Sequence, residues 1–160
     1  MVIDPREQRV IDTVNRVGWM VMKVAPNRGD PDPQWFAYTI GLPVTFGWPE
    51  LICFGLELDA MLELLNNAVQ ELKSRPVTPS SGLVLNEVLE IFPARLGAFS
   101  ASCFGEYLGW SLWFARFRGL KPEQFGCLQL LWPDKDGHFP CDADCRPEIR
   151  KLQTPIARPH

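Results

Sequence analysis

Histidine is nearly absent from this 160-residue chain: His138 and His160 are the only two. A mechanism built on paired imidazoles, or a zinc site of the H-E-x-x-H kind, therefore has no support. Also missing are G-x-G-x-x-G, G-x-x-x-x-G-K-[ST] and G-x-S-x-G. Their absence removes the usual sequence grounds for a dinucleotide fold, a P-loop nucleotidase or an α/β-hydrolase. No apolar run nears the roughly 20 residues that cross a bilayer. The opening "MVIDPREQRV" is polar where a secretory leader would be apolar, so the expected location is the cytoplasm, with no membrane attachment. Basic residues are dispersed, 16 against 19 acidic ones for a net charge of -3, which leaves no electrostatic footprint for nucleic acid.

Cysteine is present but in odd number, five. Cys53, Cys103 and Cys127 sit inside apolar runs, which predicts buried, reduced thiols rather than a disulfide framework. His138, Cys141 and Cys145 follow H-x-x-C-x-x-x-C, three soft ligands in eight residues. A structural zinc site takes four, usually in close pairs, and no fourth is at hand, so no metal is expected. Asp134-x-Asp136-Gly137 does not match a calcium loop, because the glycine comes too early and the twelfth position is Cys145. It reads as a β-turn whose carboxylates bond local amides.

What is present is an ordinary globular composition on a chain long enough for one domain with its own core. Asp4-Pro5-x-Glu7 is a helix start, followed by Val10, Ile11, Val14 and Val17 on one face and Gly18 as a stop. Residues 19–25 read as a strand and 26–34 as a loop dense in turn formers. Two strands are expected at 35–42 and 50–56. The clearest helix spans 59–73, with Asp59 as cap and Met61, Leu62, Leu65, Ala68, Val69 and Leu72 on its apolar face. Residues 83–104 are ambiguous: "NEVLEIF" reads as a helical turn, and "ARLGAFSASCF" as a strand with a glycine kink. "GEYLGWSLWFARFRG" reads as a helix with Tyr107, Trp110, Phe114 and Phe117 on one face, as core or as the wall of an aromatic pocket. "FGCLQLLW" is the final strand. Four aromatic–proline pairs, among them Trp48-Pro49 and Trp132-Pro133, belong at strand ends or turns, and Trp48-Pro49 is the pair best placed for a cis bond. The elements do not alternate regularly. The expectation is a single α+β domain over 1–146, mainly antiparallel sheet with about three packed helices, and a polar C-terminal tail over 147–160.

The stretch "FAYTIGLPVTFGWPELICFGL" is the most informative. Alternation puts Phe36, Tyr38, Ile40 and Leu42 on one face of the first strand and Ala37, Thr39 and Gly41 on the other. With Thr39 placed opposite Cys53, one face of the pair is bulky and the other small. A small face admits close approach by a helix, 59–73 being the candidate, or by a flat ligand. Glu50 beside buried strands needs a partner, either Arg95, a turn or water.

"VGWMVMKV", "FAYTIGL" with "FGWPELICFGL", "LQLLWPDKDGHFP" and a late "LQTP" occur in the order in which they mark the bacterial domain of unknown function 4262 family, which the chain resembles over nearly its whole length. That family typically has His where this chain has Trp48, often Trp where it has Cys141, and Gln-Pro where it has Gln153-Thr154. The resemblance implies no activity, and the Trp48 difference speaks against imidazole chemistry at that loop. Two functions stay open. One is a non-catalytic binding, interaction or regulatory module. The other is a small-molecule-binding protein or enzyme whose site lies beside the "FAYTIGL" and "WPDKDGHF" motifs, built from Tyr38, Thr39, Gly41, Glu50, Asp134 and His138, with a flavin-type cofactor by fold-level analogy to split barrels. Cofactor, partner (protein or small molecule) and oligomeric state are unknown from sequence.

Overall fold

The computed structural model describes residues 2–155, so His160 lies outside it. In chain order the elements are α1 (Pro5–Val17), β1 (Met20–Val24), β2 (Phe36–Ile40), α2 (Leu42–Phe46), β3 (Glu50–Phe54), α3 (Leu58–Lys73), β4 (Val84–Leu85), β5 (Ala94–Ala98), α4 (Phe104–Tyr107), α5 (Gly109–Phe117), β6 (Cys127–Leu131) and α6 (Pro147–Leu152). The strands make one sheet in the order β1-β2-β3-β6-β5-β4. Neighbours are antiparallel except at its centre, where β3 and β6 run parallel. The mixed, mainly antiparallel α+β architecture expected from the sequence is what forms, with α1, α3 and α5 as its longer helices.

Local chemistry explains the element ends. Asp4 and Glu7 exchange bonds with each other's backbone N–H at 2.8 and 2.9 Å, a capping box that starts α1. Gly18, at φ 106°, ends α1 in the left-handed conformation. The cap of α3 is Glu57 rather than Asp59; Asp59 lies in the first turn and pairs with Lys23 at 2.9 Å. The segment between β2 and β3, which has no helical periodicity long enough to read, forms α2. The long aromatic helix is broken at Leu108 into α4 and α5. Residues 86–92 take no regular structure.

Two hydrophobic layers sandwich the sheet. On one face α3 packs Met61, Leu65, Ala68, Val69 and Leu72 onto Ala37, Leu51, Cys53, Leu96 and Leu130. On the other, Val10, Ile11 and Val14 of α1, together with Tyr107, Leu108 and Phe114, cover Tyr38, Ile40, Ile52, Phe54 and Cys127. The register pairs Ala37, not Thr39, with Cys53. The shift from the expected register is two residues, and an even shift leaves the side chains of β2 and β3 on their predicted faces. Leu42, expected beside Tyr38 and Ile40, packs instead with Ala37 and Leu51, because the chain turns at Gly41 into α2. On the outer helix layer, Ser111 and Phe114 turn inward while Trp110, Trp113 and Phe117 are only partly buried, so the buried stripe differs from the expected one.

The thiols are all free: Cys53 and Cys127 are buried as expected, but Cys103 is only half-buried. Pro49 and Pro133 flank β3 and β6. The cis bond among the described residues is Thr154–Pro155 rather than Trp48–Pro49. No helix in the described residues is long and apolar enough to cross a membrane.

Candidate functional site

The "FAYTIGL" and "PEL" motifs meet at the amino end of β3. Glu50 is fully buried there and accepts three hydrogen bonds. Thr39 Oγ1 (2.8 Å) and the Leu42 N–H (3.1 Å) donate to Oε1, and the Gly41 N–H (2.9 Å) donates to Oε2. Thr39 Oγ1 in turn accepts from the Leu51 N–H at 2.8 Å. This lies just beyond the last backbone-paired residues, Tyr38 and Ile52. Gly41 sits at φ 104°, and a Cβ there would stand 2.7 Å from a Val14 methyl carbon. Only glycine makes this turn without strain and lets the chain pass so close to α1. Burial pushes the Glu50 carboxyl from its ordinary value near 4.5 up to about 8, against the pull of the Gly41, Thr39 and Leu42 donors. Glu50 thus caps the turn into α2. It does not pair with Arg95, whose guanidinium lies 4.6 Å over the Phe139 ring.

Tyr38 and Ser111 extend the same cluster. The Trp110 N–H donates to the Tyr38 hydroxyl at 3.2 Å, and Ser111 Oγ donates to the Thr39 carbonyl at 2.7 Å, fixing α5 to β2. Burial above all pushes the Tyr38 phenol up to about 12. The small face beside Thr39 is filled by α3, so the helix occupies the place considered for a flat ligand.

Asp134 and His138 lie elsewhere. They follow β6, whose start, Cys127, is the residue paired with Glu50. The five residues of β6, at about 3.3 Å each, run between the two groups. Of the six expected site residues, the structure therefore brings together Tyr38, Thr39, Gly41 and Glu50, and separately Asp134 and His138. Asp134 is buried and organises its own loop. Its Oδ1 accepts from the Asp136 and His138 N–H groups, both at 2.9 Å, and its Oδ2 from the Arg146 N–H at 3.1 Å. Burial opposes ionisation, but these donors outweigh it and hold the carboxyl below its usual value. Ligand atoms of Asp134, Asp136 and His138 fall within 4.8 Å of one another. Both Asp134 oxygens are already committed to backbone donors, and Asp136 pairs with Arg146 at 3.3 Å.

The carboxyl ends of β3 and β6 carry what the sequence did not announce. Residues 147–152, within the segment read as a polar tail, form α6, and Gln153 is fully buried beside them. The Gln153 amide exchanges hydrogen bonds with the Trp132 N–H (3.0 Å) and carbonyl (2.8 Å), and its own carbonyl accepts from Gln129 Nε2 at 2.6 Å. The next link reaches the surface. Thr154 offers its carbonyl to Gln34 Nε2, and Gln34 Oε1 accepts from the Tyr107 hydroxyl at 2.7 Å. These residues border a groove of about 610 Å³ under the 25–34 loop, with Val24, Pro26, Phe36 and Glu106 also on its wall. The late "LQTP" was the one sequence signal pointing here; Gln34 gave none.

The fold and its sites thus define a three-layer domain with a hydrogen-bonded signature inside it and a groove at one end of the sheet. The chain belongs to the family described as Domain of unknown function (DUF4262), which matches residues 13–146. Neither a curated protein nor a solved structure matches it.

Proposed function

We propose that the protein is a non-catalytic binding module, acting in the cytoplasm, that takes its ligand in the groove beneath the 25–34 loop. One observation carries this reading: the polar side chains of the signature are spent inside the fold. Thr39, Glu50 and Ser111 bond one another's neighbourhoods and lie buried, which makes them a frame rather than a reaction centre. The groove, by contrast, is within the size range of ligand sites and mixes aromatic rings with a few polar groups. It also lies toward the carboxyl end of the parallel pair, the side on which open α/β sheets hold ligands, which is support by analogy.

Amide NMR on the labelled protein, titrated with a panel of small molecules and short peptides, tests the reading. Ligands should shift residues 24–36 and 106–107 and leave 39–51 unmoved. Tyr107→Phe should weaken them without altering the remaining spectrum. A compound that is chemically converted, or shifts centred on Glu50, would defeat it.

A further inference from the structure

The groove wall carries charge of one sign. Asp30 and Asp32 come from the loop and Glu106 from α4, while no Lys or Arg lines it. All three are exposed, and among the described residues none lies within salt-bridge reach of a cation. Arg28, on the same loop, stands outside the wall. The three carboxylates are not gathered at a point. Among the described residues the set of ligand atoms that closes to within 4.8 Å is Asp134, Asp136 and His138, not these. A single metal ion therefore finds no cage in the groove, whereas a ligand with its own charges spaced apart finds a carboxylate for each.

The apolar part of the wall completes the match. Phe36 and Tyr107 meet edge to face, with ring centroids 5.2 Å apart. Tyr107 is buried with its ring among Phe36, Phe54 and Phe99, so half-buried Phe36 supplies the ring surface that an alkylammonium group can meet. Val24, Pro26 and Pro155 give a methylene chain surface to lie on. Burial first, then the negative field of Glu106 and, more weakly, of Asp32, holds the Tyr107 phenol above its ordinary value, so two of the carboxylates are felt at the ring.

We propose that the groove binds a linear organic polyamine, protonated on two or more nitrogens. The proposal rests on the reading above that the groove is the ligand site. Its carboxylates engage the ammonium groups, and Phe36 with Val24 and Pro26 holds the methylene stem. Gln34, fixed by Tyr107 and Thr154, braces the wall between them.

Spermidine is the probe, used with the full chain in calorimetric and amide-NMR titrations at low and at physiological salt. Binding should shift residues 24–36 and 106–107 and weaken as salt rises. The double variant Asp32→Asn/Glu106→Gln should weaken it by about tenfold. Neither side chain makes a hydrogen bond among the described residues, so the variant should fold. Glu63→Gln/Glu87→Gln removes the same charge from exposed sites off the groove and should leave affinity within about twofold. Equal losses in both variants, or no shift at the groove, would overturn the proposal. If neutral or anionic panel compounds shift the groove and spermidine does not, the groove remains the binding site and the polyamine assignment falls. If nothing shifts it, both readings fall.

Discussion

Glu50 shows how one buried carboxyl can serve architecture instead of chemistry. Its folded value near 8 lies above that of the exposed, unfolded side chain near 4.5. Between those two values the folded state keeps a proton that the unfolded state has lost. Stability is therefore greatest below about pH 4.5 as far as this group is concerned, falls as pH rises, and levels off above 8. The fall should amount to a few kcal/mol across the window. Glu50→Gln cannot ionise, so its urea-derived stability should lose that slope. Below pH 4.5 it should cost about 1–3 kcal/mol, because its NH₂ cannot accept from the Gly41 N–H, and this deficit should shrink as pH rises, since the wild-type protein alone loses stability there. Parallel pH profiles for the two proteins would refute the assignment. The thiols make a second residue-level case. Burial pushes Cys53 up to about 12 and Cys127 well above its usual value, and Cys145 is also raised and buried. A disulfide reagent should modify exposed Cys141 first, Cys103 more slowly, and reach all five only after denaturation. Prompt reaction of Cys53 in the native protein would contradict the core described above.

At the scale of elements, α6 and the turn after it are held by two devices. Gly55, at φ 90°, would place a Cβ 2.6 Å from the Leu152 carbonyl oxygen, so the helix end lies directly on the backbone after β3. Gln153 then satisfies both polar groups of the Trp132 backbone. Gln153→Ala should leave that N–H and carbonyl unpaired and cost about 1–3 kcal/mol for each group not reached by water. Gly55→Ala should detach α6 while the sheet persists. Hydrogen exchange should then rise over 147–154 with β3 and β6 still protected, and uniform exchange across the chain would count against the docking. These elements also mark how far the sequence could be read. Capping chemistry and periodicity are local, so α1, α3 and the faces of β2 and β3 were legible. The signature residues were legible as a group because they lie within fifteen positions of one another. The short helices α2 and α6 have too few turns to show a period. Gln34, Tyr107 and Thr154 come together only through contacts spanning 73 and 120 positions.

For the molecule as a whole, the parallel β3–β6 pairing joins two antiparallel units, β1-β2-β3 and β6-β5-β4. No turn or pattern announces that join, since Leu51 meets Leu128 across 77 positions. A chain stopped after residue 120 should confirm its importance. It keeps five strands but not the one between β3 and β5, and should sediment or show collapsed amide dispersion. A soluble, well-dispersed fragment would mean that the first unit stands alone.

The order of the strands also dictates a hazard during synthesis. The middle of the sheet is made last. When β3 emerges from the ribosome its open edge, flanked by buried Leu51, Ile52 and Phe54, must wait for roughly 70 more residues, about 4 to 15 s at synthesis rates of about 5–20 residues per second. Through that interval nascent chains on one polysome present the same unpaired edge to one another, and the protein's yield in a cell becomes a race between elongation and edge-to-edge association.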